Sequence, residues 1–170
     1  PTNTTATAFS IVSYTSTSGI SFSPWQTTCS NATKVFIADI NADNHDDVIG
    51  YAPADDKLCI HFTNVTTGGY MSQFNYTHAT SVIDLGFDDF DGDGIDDLVS
   101  IRSGGKVFVD YYDQRTNTFR NLDSMTVIPP GSQNPVSFSH MHLARFDGVL
   151  NNPSLIAAQN NGDANRIFWS

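Results

Sequence analysis

The chain has 170 residues, a formal charge of −10 and a pI near 4.5, which disfavours a phosphate-backbone partner such as nucleic acid. Charged residues make up 15%, so the polar surface rests on 17 Ser, 17 Thr and 14 Asn. All 18 acidic residues are Asp. With no Glu and so many turn and cap formers, a mainly helical protein is disfavoured. No apolar run approaches the roughly 20 residues of a transmembrane segment.

The first 33 residues contain 16 Ser or Thr. Within them, Phe9 to Tyr14 and Ile20 to Trp25 flank a Thr/Ser/Gly turn and read as a hairpin. Apolar residues then alternate at Val35 and Ile37, at Leu85 and Phe87, and at Met141 and Leu143, the period of a half-buried strand. An Asp-rich loop follows each of the first two. Short apolar runs come next at Val48-Ile49, Leu98-Val99 and Leu155-Ile156. Turn residues lead to third strands at Leu58 to Phe62, Val107 to Tyr112 and Arg166 to Trp169. Fourth strands fit Tyr70 to Tyr76 and Phe119 to Val127.

These units repeat. Phe36 to Ile49 aligns with Gly86 to Val99 at an offset of 50, and a decayed copy spans Ala144 to Ile156. A period near 50 suits a propeller blade of four strands. The expected fold is therefore all-β, with β-propeller-type blades of four antiparallel strands in about three repeats, incomplete at both termini. The boundaries are 1–32 for a Ser/Thr-rich arm and hairpin, 33–80 for blade 1, 81–136 for blade 2 and 137–170 for a partial blade 3.

The loops carry the chemistry. Asp89, Asp91, Asp93 and Asp97 stand at positions 1, 3, 5 and 9 of a tight turn, with the Ile95 carbonyl at position 7. Asp39, Asn41, Asp43, Asp47 and the His45 carbonyl repeat that pattern. Calcium takes six to eight oxygens, and alternate residues of a turning loop can aim them inward. Gly92 and Gly94 permit the positive φ that such a turn needs. So much like charge would repel without a cation. Two Ca²⁺ sites are expected. An EF-hand is ruled out, because Gly50 and Ser100 stand where its bidentate Glu would be. Zinc is disfavoured by the lack of thiolate or imidazole ligands. In the third copy Arg145 replaces the first acid and Val149 the third, while Asp147 remains; the guanidinium could stand in for the ion.

These loops, with a hydrophobic strand before and after, resemble the FG-GAP/VCBS repeat of integrin-alpha-like β-propellers over roughly residues 33 to 170, most specifically from Phe87 to Val99. The resemblance implies calcium between the first and second strands of each blade. Adhesion receptors, fungal lectins and domains of secreted enzymes share the repeat, so it does not fix a function.

Other features weigh less. Asn3, Asn31, Asn64 and Asn75 each open an Asn-x-Thr sequon. Cys29 and Cys59 fit an extracellular disulfide or two buried thiols. His140-x-His142 projects from one strand face and reads as an ordinary polar pair rather than a metal site. Trp25, Trp169, Tyr111, Tyr112 and Phe168 suit core or interface packing more than sugar stacking. Pro129 to Pro135 is a stiff connector. No nucleophile elbow, P-loop or Cys/His pair is present, so no enzyme is expected. The sequence reads as a secreted or cell-surface, calcium-binding, glycosylated structural protein that self-associates, with head-to-tail strand complementation as the joint. The alternative is a lectin-like or adhesive module that recognises glycans or a protein ligand.

Overall fold

The computed structural model describes residues 9–15, 19–25, 31–64, 69–77, 81–128, 133–144, 154–159 and 166–168. Asn3, Cys29, Arg145, Asp147, Val149, Trp169 and part of the Pro129 to Pro135 connector lie outside them, as do the side chains of Trp25, Asn64, Asn75 and Phe168. The described residues hold thirteen strands and no helix. Strands β1 (Phe9–Thr15) and β2 (Gly19–Trp25) form a hairpin. Strands β3 (Lys34–Ala38), β4 (Asp47–Ala52), β5 (Lys57–Asn64) and β6 (Gly69–Thr77) form the first four-stranded sheet. The second holds β7 (Val82–Asp88), β8 (Asp97–Arg102), β9 (Lys106–Asp113) and β10 (Thr118–Thr126). The third holds β11 (Phe138–Ala144), β12 (Ser154–Gln159) and β13 (Arg166–Phe168). Every sheet is an antiparallel meander, each strand pairing with its sequence neighbour. Among the described residues the sheets close into neither a barrel nor a ring.

Strand β8 shows why the sheets stack. Its residues are apolar on both sides, which suits a strand covered on both faces. Leu98 packs in a core with Ile49, Leu58, Ile60 and Tyr51 of the first sheet. Its neighbours Val99 and Ile101 face the other way, into a core with Phe138, Met141 and Leu155 of the third. Leu98, Val99 and Ile101 are all at 0% exposure, and each side chain of that size contributes about 2 kcal/mol on burial. Tyr112 is part of the first of these cores, 5.4 Å from Phe62 and 5.5 Å from Phe119 by ring centroid.

The inner strands β3, β7 and β11 meet across the sheets. Phe36 on β3 stacks edge-on against Phe87 on β7 at 5.4 Å. A Cβ on Gly86 would lie 3.3 Å from both Leu143 and Met141, so a bare backbone lets β11 approach. Register shifts fall between Val82 and Asp84 and again between Phe138 and His140, matching positions of two repeats. The first shift falls beside Asp84, which is 5% exposed. Its Oδ1 accepts from the Leu85 N–H at 2.8 Å and pairs with the Lys34 ammonium; its Oδ2 accepts from the Met141 N–H at 3.0 Å. One side chain thus joins the inner strands of three sheets.

Alternation at Val35 and Ile37 marks β3 as a strand, but the covered side is the other one. Val35 is 38% exposed and Ile37 59%, while Phe36 points into the first core. Val35 and Ile37 face away from the second sheet, and no described residue covers them as the first sheet covers Leu85 and Phe87.

Candidate metal centre

Each four-stranded sheet carries an acidic loop between its first and second strands. In the second sheet this loop runs from β7 to β8. Asp89 opens it and folds the turn around its own carboxylate: Oδ1 accepts from the Gly92 N–H at 2.8 Å and Oδ2 from the Gly94 N–H at 3.1 Å. Asp91 Oδ1 accepts from the Asp93 N–H at 3.1 Å, and Asp93 Oδ1 from the Ile95 N–H at 2.9 Å. Gly92 and Gly94 have φ of 82° and 89°. The result brings one carboxylate oxygen each from Asp89, Asp91 and Asp93 within 4.8 Å of one another, an arrangement that could hold a metal ion.

The loop from β3 to β4 is built the same way. Asp39 Oδ2 accepts from the Asn44 N–H at 2.8 Å, Asn41 Oδ1 from the Asp43 N–H at 3.0 Å, and Asp43 Oδ1 from the His45 N–H at 2.9 Å. Ala42 and Asn44 take the positions of the two glycines, with φ of 59° and 61°. Asn tolerates that region, but Ala in it is strained by about 1–2 kcal/mol. The loop geometry thus persists although Gly is absent at both positions.

The ninth position of each loop is buried at the start of the next strand. Asp47 is 0% exposed and Asp97 2%. Asp97 Oδ2 accepts from the Phe90 N–H at 3.1 Å, and Asp47 Oδ1 from the Thr63 N–H at 2.9 Å. Asp47 Oδ2 is buried and makes no well-formed hydrogen bond among the described residues, although the Ile40 N–H acts to lower the carboxyl. A carboxylate oxygen left bare in a core is costly unless a cation meets it. Burial, reinforced by Asp43 and Asp39, pushes the Asp47 carboxyl up to about 7. Burial, reinforced by Asp91 and Asp93, does the same to Asp97. Both carboxyls therefore carry their charge poorly on their own, and a divalent cation of hard character would reverse that balance. The donor set of Asp, Asn and backbone oxygens fits such an ion.

The two loops are clasped together. Asp96 Oδ2 accepts from the Asp39 N–H at 2.9 Å, and the Asp96 N–H donates to the Asp39 carbonyl at 2.9 Å. Gln114 Nε2 donates to the Asn41 carbonyl. Asp96 stands outside the one-three-five-nine spacing that marks the loop in the sequence. The Asp-Asp pair that closes each loop is the available signal: in the second loop Asp97 serves its own loop and Asp96 reaches the preceding one.

The remaining candidates stand apart. His140 and His142 are exposed on β11, with ring centroids 5.9 Å apart, and share no third ligand among the described residues. Asn31 is exposed, with its amide on Asp55 at 3.4 Å. Asn64 ends β5 and Asn75 lies in β6 opposite Cys59. Cys59 is buried and disulfide-bonded; Cys29 is the one other cysteine in the sequence. Tyr111 is 38% exposed and Tyr112 is core. Among the described residues no helix is long and apolar enough to cross a membrane. No protein-family model matches the chain, and no curated protein matches it.

Proposed function

We propose that this chain is a non-enzymatic, secreted or cell-surface structural protein, an FG-GAP/VCBS-type propeller segment that binds two Ca²⁺ ions, carries glycans and assembles with itself. Ca²⁺ is held by Asp39, Asn41, Asp43, Asp47 and the His45 carbonyl in one site, and by Asp89, Asp91, Asp93, Asp97 and the Ile95 carbonyl in the other. Extracellular sites of this kind bind near 10⁻⁴–10⁻³ M, so each contributes roughly 0.4–1.4 kcal/mol at about 1 mM calcium. The Cys29–Cys59 bond and the sequons at Asn3, Asn31, Asn64 and Asn75 belong to the same secretory setting.

The observation that supports assembly is the tandem stacking of three meander sheets, the second of which is covered by a neighbouring sheet on each face. Among the described residues the third sheet has three strands where the first and second have four. Strand addition at its β13 edge would complete it. Negative-stain electron microscopy of the purified protein in millimolar calcium tests this reading. Regular fibres or rings are expected, and deletion of residues 1–28 is expected to abolish them. Monodisperse single particles at high concentration would refute self-assembly. Binding of those particles on a glycan array would then favour the lectin reading.

A further inference from the structure

The assembly reading leaves open where two copies meet, and the repeat positions on the inner strands address this. Leu85 and Phe87 face the preceding sheet: Leu85 is 3% exposed and Phe87 stacks on Phe36. Met141 and Leu143 do the same one repeat later, against Gly86. Val35 and Ile37 hold the same positions on β3, yet they are 38% and 59% exposed. Their face is not open throughout. Val48 pairs beside Ile37, and Gly50 pairs beside Val35 and Cys59. Val48 is 5% exposed and Cys59 0%, so the outer part of this face is covered. Among the described residues of this face, what lacks cover is β3, which is the footprint of an inner strand. Asp46 gives a second observation. It stands where Asp96 stands, and Asp96 grips the end of the preceding inner strand through the Asp39 N–H. The Asp46 side chain is exposed, with no such strand to grip among the described residues.

The opposite end of the stack offers the complementary face. Phe36 pairs with Ile49, Gly86 with Val99 and His142 with Ile156, so these three pairs are equivalent. Ile49 and Val99 are at 0% exposure under the following sheet, whereas Ile156 is only half-buried and His142 exposed. We propose that a second copy of this chain docks here head to tail. Its third sheet lays the His142 and Ile156 side against Val35 and Ile37, and Asp46 accepts a backbone N–H from the end of the incoming β11. The contact continues the sheet-to-sheet interface already made twice within the chain. It joins unlike faces, so it propagates rather than stopping at a dimer.

The test places a benzophenone side chain at position 37 and irradiates an equal mixture of ¹⁴N- and ¹⁵N-labelled full-length protein in millimolar calcium. Mixed-isotope crosslinks between residue 37 and a peptide containing 138–144 are expected. Crosslinks confined to one isotope would mean that the chain covers its own β3, and would overturn the proposal. Ile37→Asp, at a site exposed in the single chain, is expected to raise the concentration needed for assembly at least tenfold while leaving the unfolding midpoint unchanged. Asp46→Ala is expected to raise it several-fold. If fibres form and the crosslinks map elsewhere, this docking face is wrong and the assembly reading stands. If neither fibres nor mixed-isotope peptides form at any concentration, both fall.

Discussion

Replacing Asp84 by Ala removes a side chain that joins three inner strands. Three terms set the cost. The Leu85 and Met141 amides lose charge-assisted hydrogen bonds of 2.8 and 3.0 Å, and both residues are buried, at 3% and 6% exposure. Stranding a buried donor costs about 1–3 kcal/mol. The Lys34 ammonium is the third partner, but its side chain is 43% exposed and regains water, so its loss adds at most about 1 kcal/mol. Asp84→Ala should therefore cost about 3–5 kcal/mol. Asp84→Asn should cost about 2, because an amide offers one acceptor where two backbone donors converge from different sides. Lys34→Met should cost under about 1 kcal/mol. Urea unfolding in calcium, with amide exchange at Met141 followed by NMR, measures all three. Equal losses for Asp84→Ala and Lys34→Met would show that the pair is a surface ion pair and that the backbone bonds contribute nothing. A loss below about 1 kcal/mol for Asp84→Ala would refute the three-strand reading outright.

Asp47→Asn should weaken calcium binding at the first loop at least tenfold and leave the second loop unchanged, as read by calorimetric titration. In chelator the same change should stabilise the protein near neutral pH, because it removes a buried charge with no ion to meet it. The pH dependence has a definite sign. The Asp47 and Asp97 carboxyls sit at about 7 in the folded chain against an ordinary value of 3.8, so their ionisation opposes folding without metal. Stability in chelator should be highest at acid pH, fall between about pH 4 and 7 and then level off, whereas in calcium this decline should be offset. Ala42→Gly should raise stability in calcium by up to about 1 kcal/mol, since it relieves a left-handed Ala at φ 59°. Gly105→Ala should cost about 2–4 kcal/mol by thermal unfolding: φ is 69°, and the new methyl would sit 3.0 Å from the Val127 oxygen and the Val136 nitrogen.

Strands and loops were legible because their signals are local. Alternation at Leu85 and Phe87 fixed β7, and the one-three-five-nine spacing fixed both acidic turns. Asp84 was not legible. Its repeat equivalents are Lys34 and His140, three residues of unlike chemistry, because the bond it makes runs between repeats rather than within one. Alternation also gives the parity of a strand without saying which parity is covered. Val35 and Leu85 look alike in sequence and differ in exposure only through the sheet that stands before them. The positive φ at Ala42 was hidden for a related reason: the glycines that announce the turn in the second loop are missing from the first, and the hydrogen bonds of Asp39 impose the turn without them.

The acidic loops and the sheet interface are the same stretch of chain, and this ties the two parts of the proposed function together. Asp39 contributes its carboxylate to one loop while its N–H and carbonyl are both held by Asp96 of the next. Asp96 in turn is fixed by its neighbour Asp97, whose carboxylate anchors the second loop through the Phe90 N–H. An ion that ordered the second loop would therefore hold Asp96 in place, and Asp96 would hold the backbone of the residue that opens the first. Order would pass from sheet to sheet through backbone hydrogen bonds, in the direction of the stack. Asp46 holds the equivalent position in the first loop, so under the proposed docking calcium in that loop would organise the joint between copies as it would the joint between sheets.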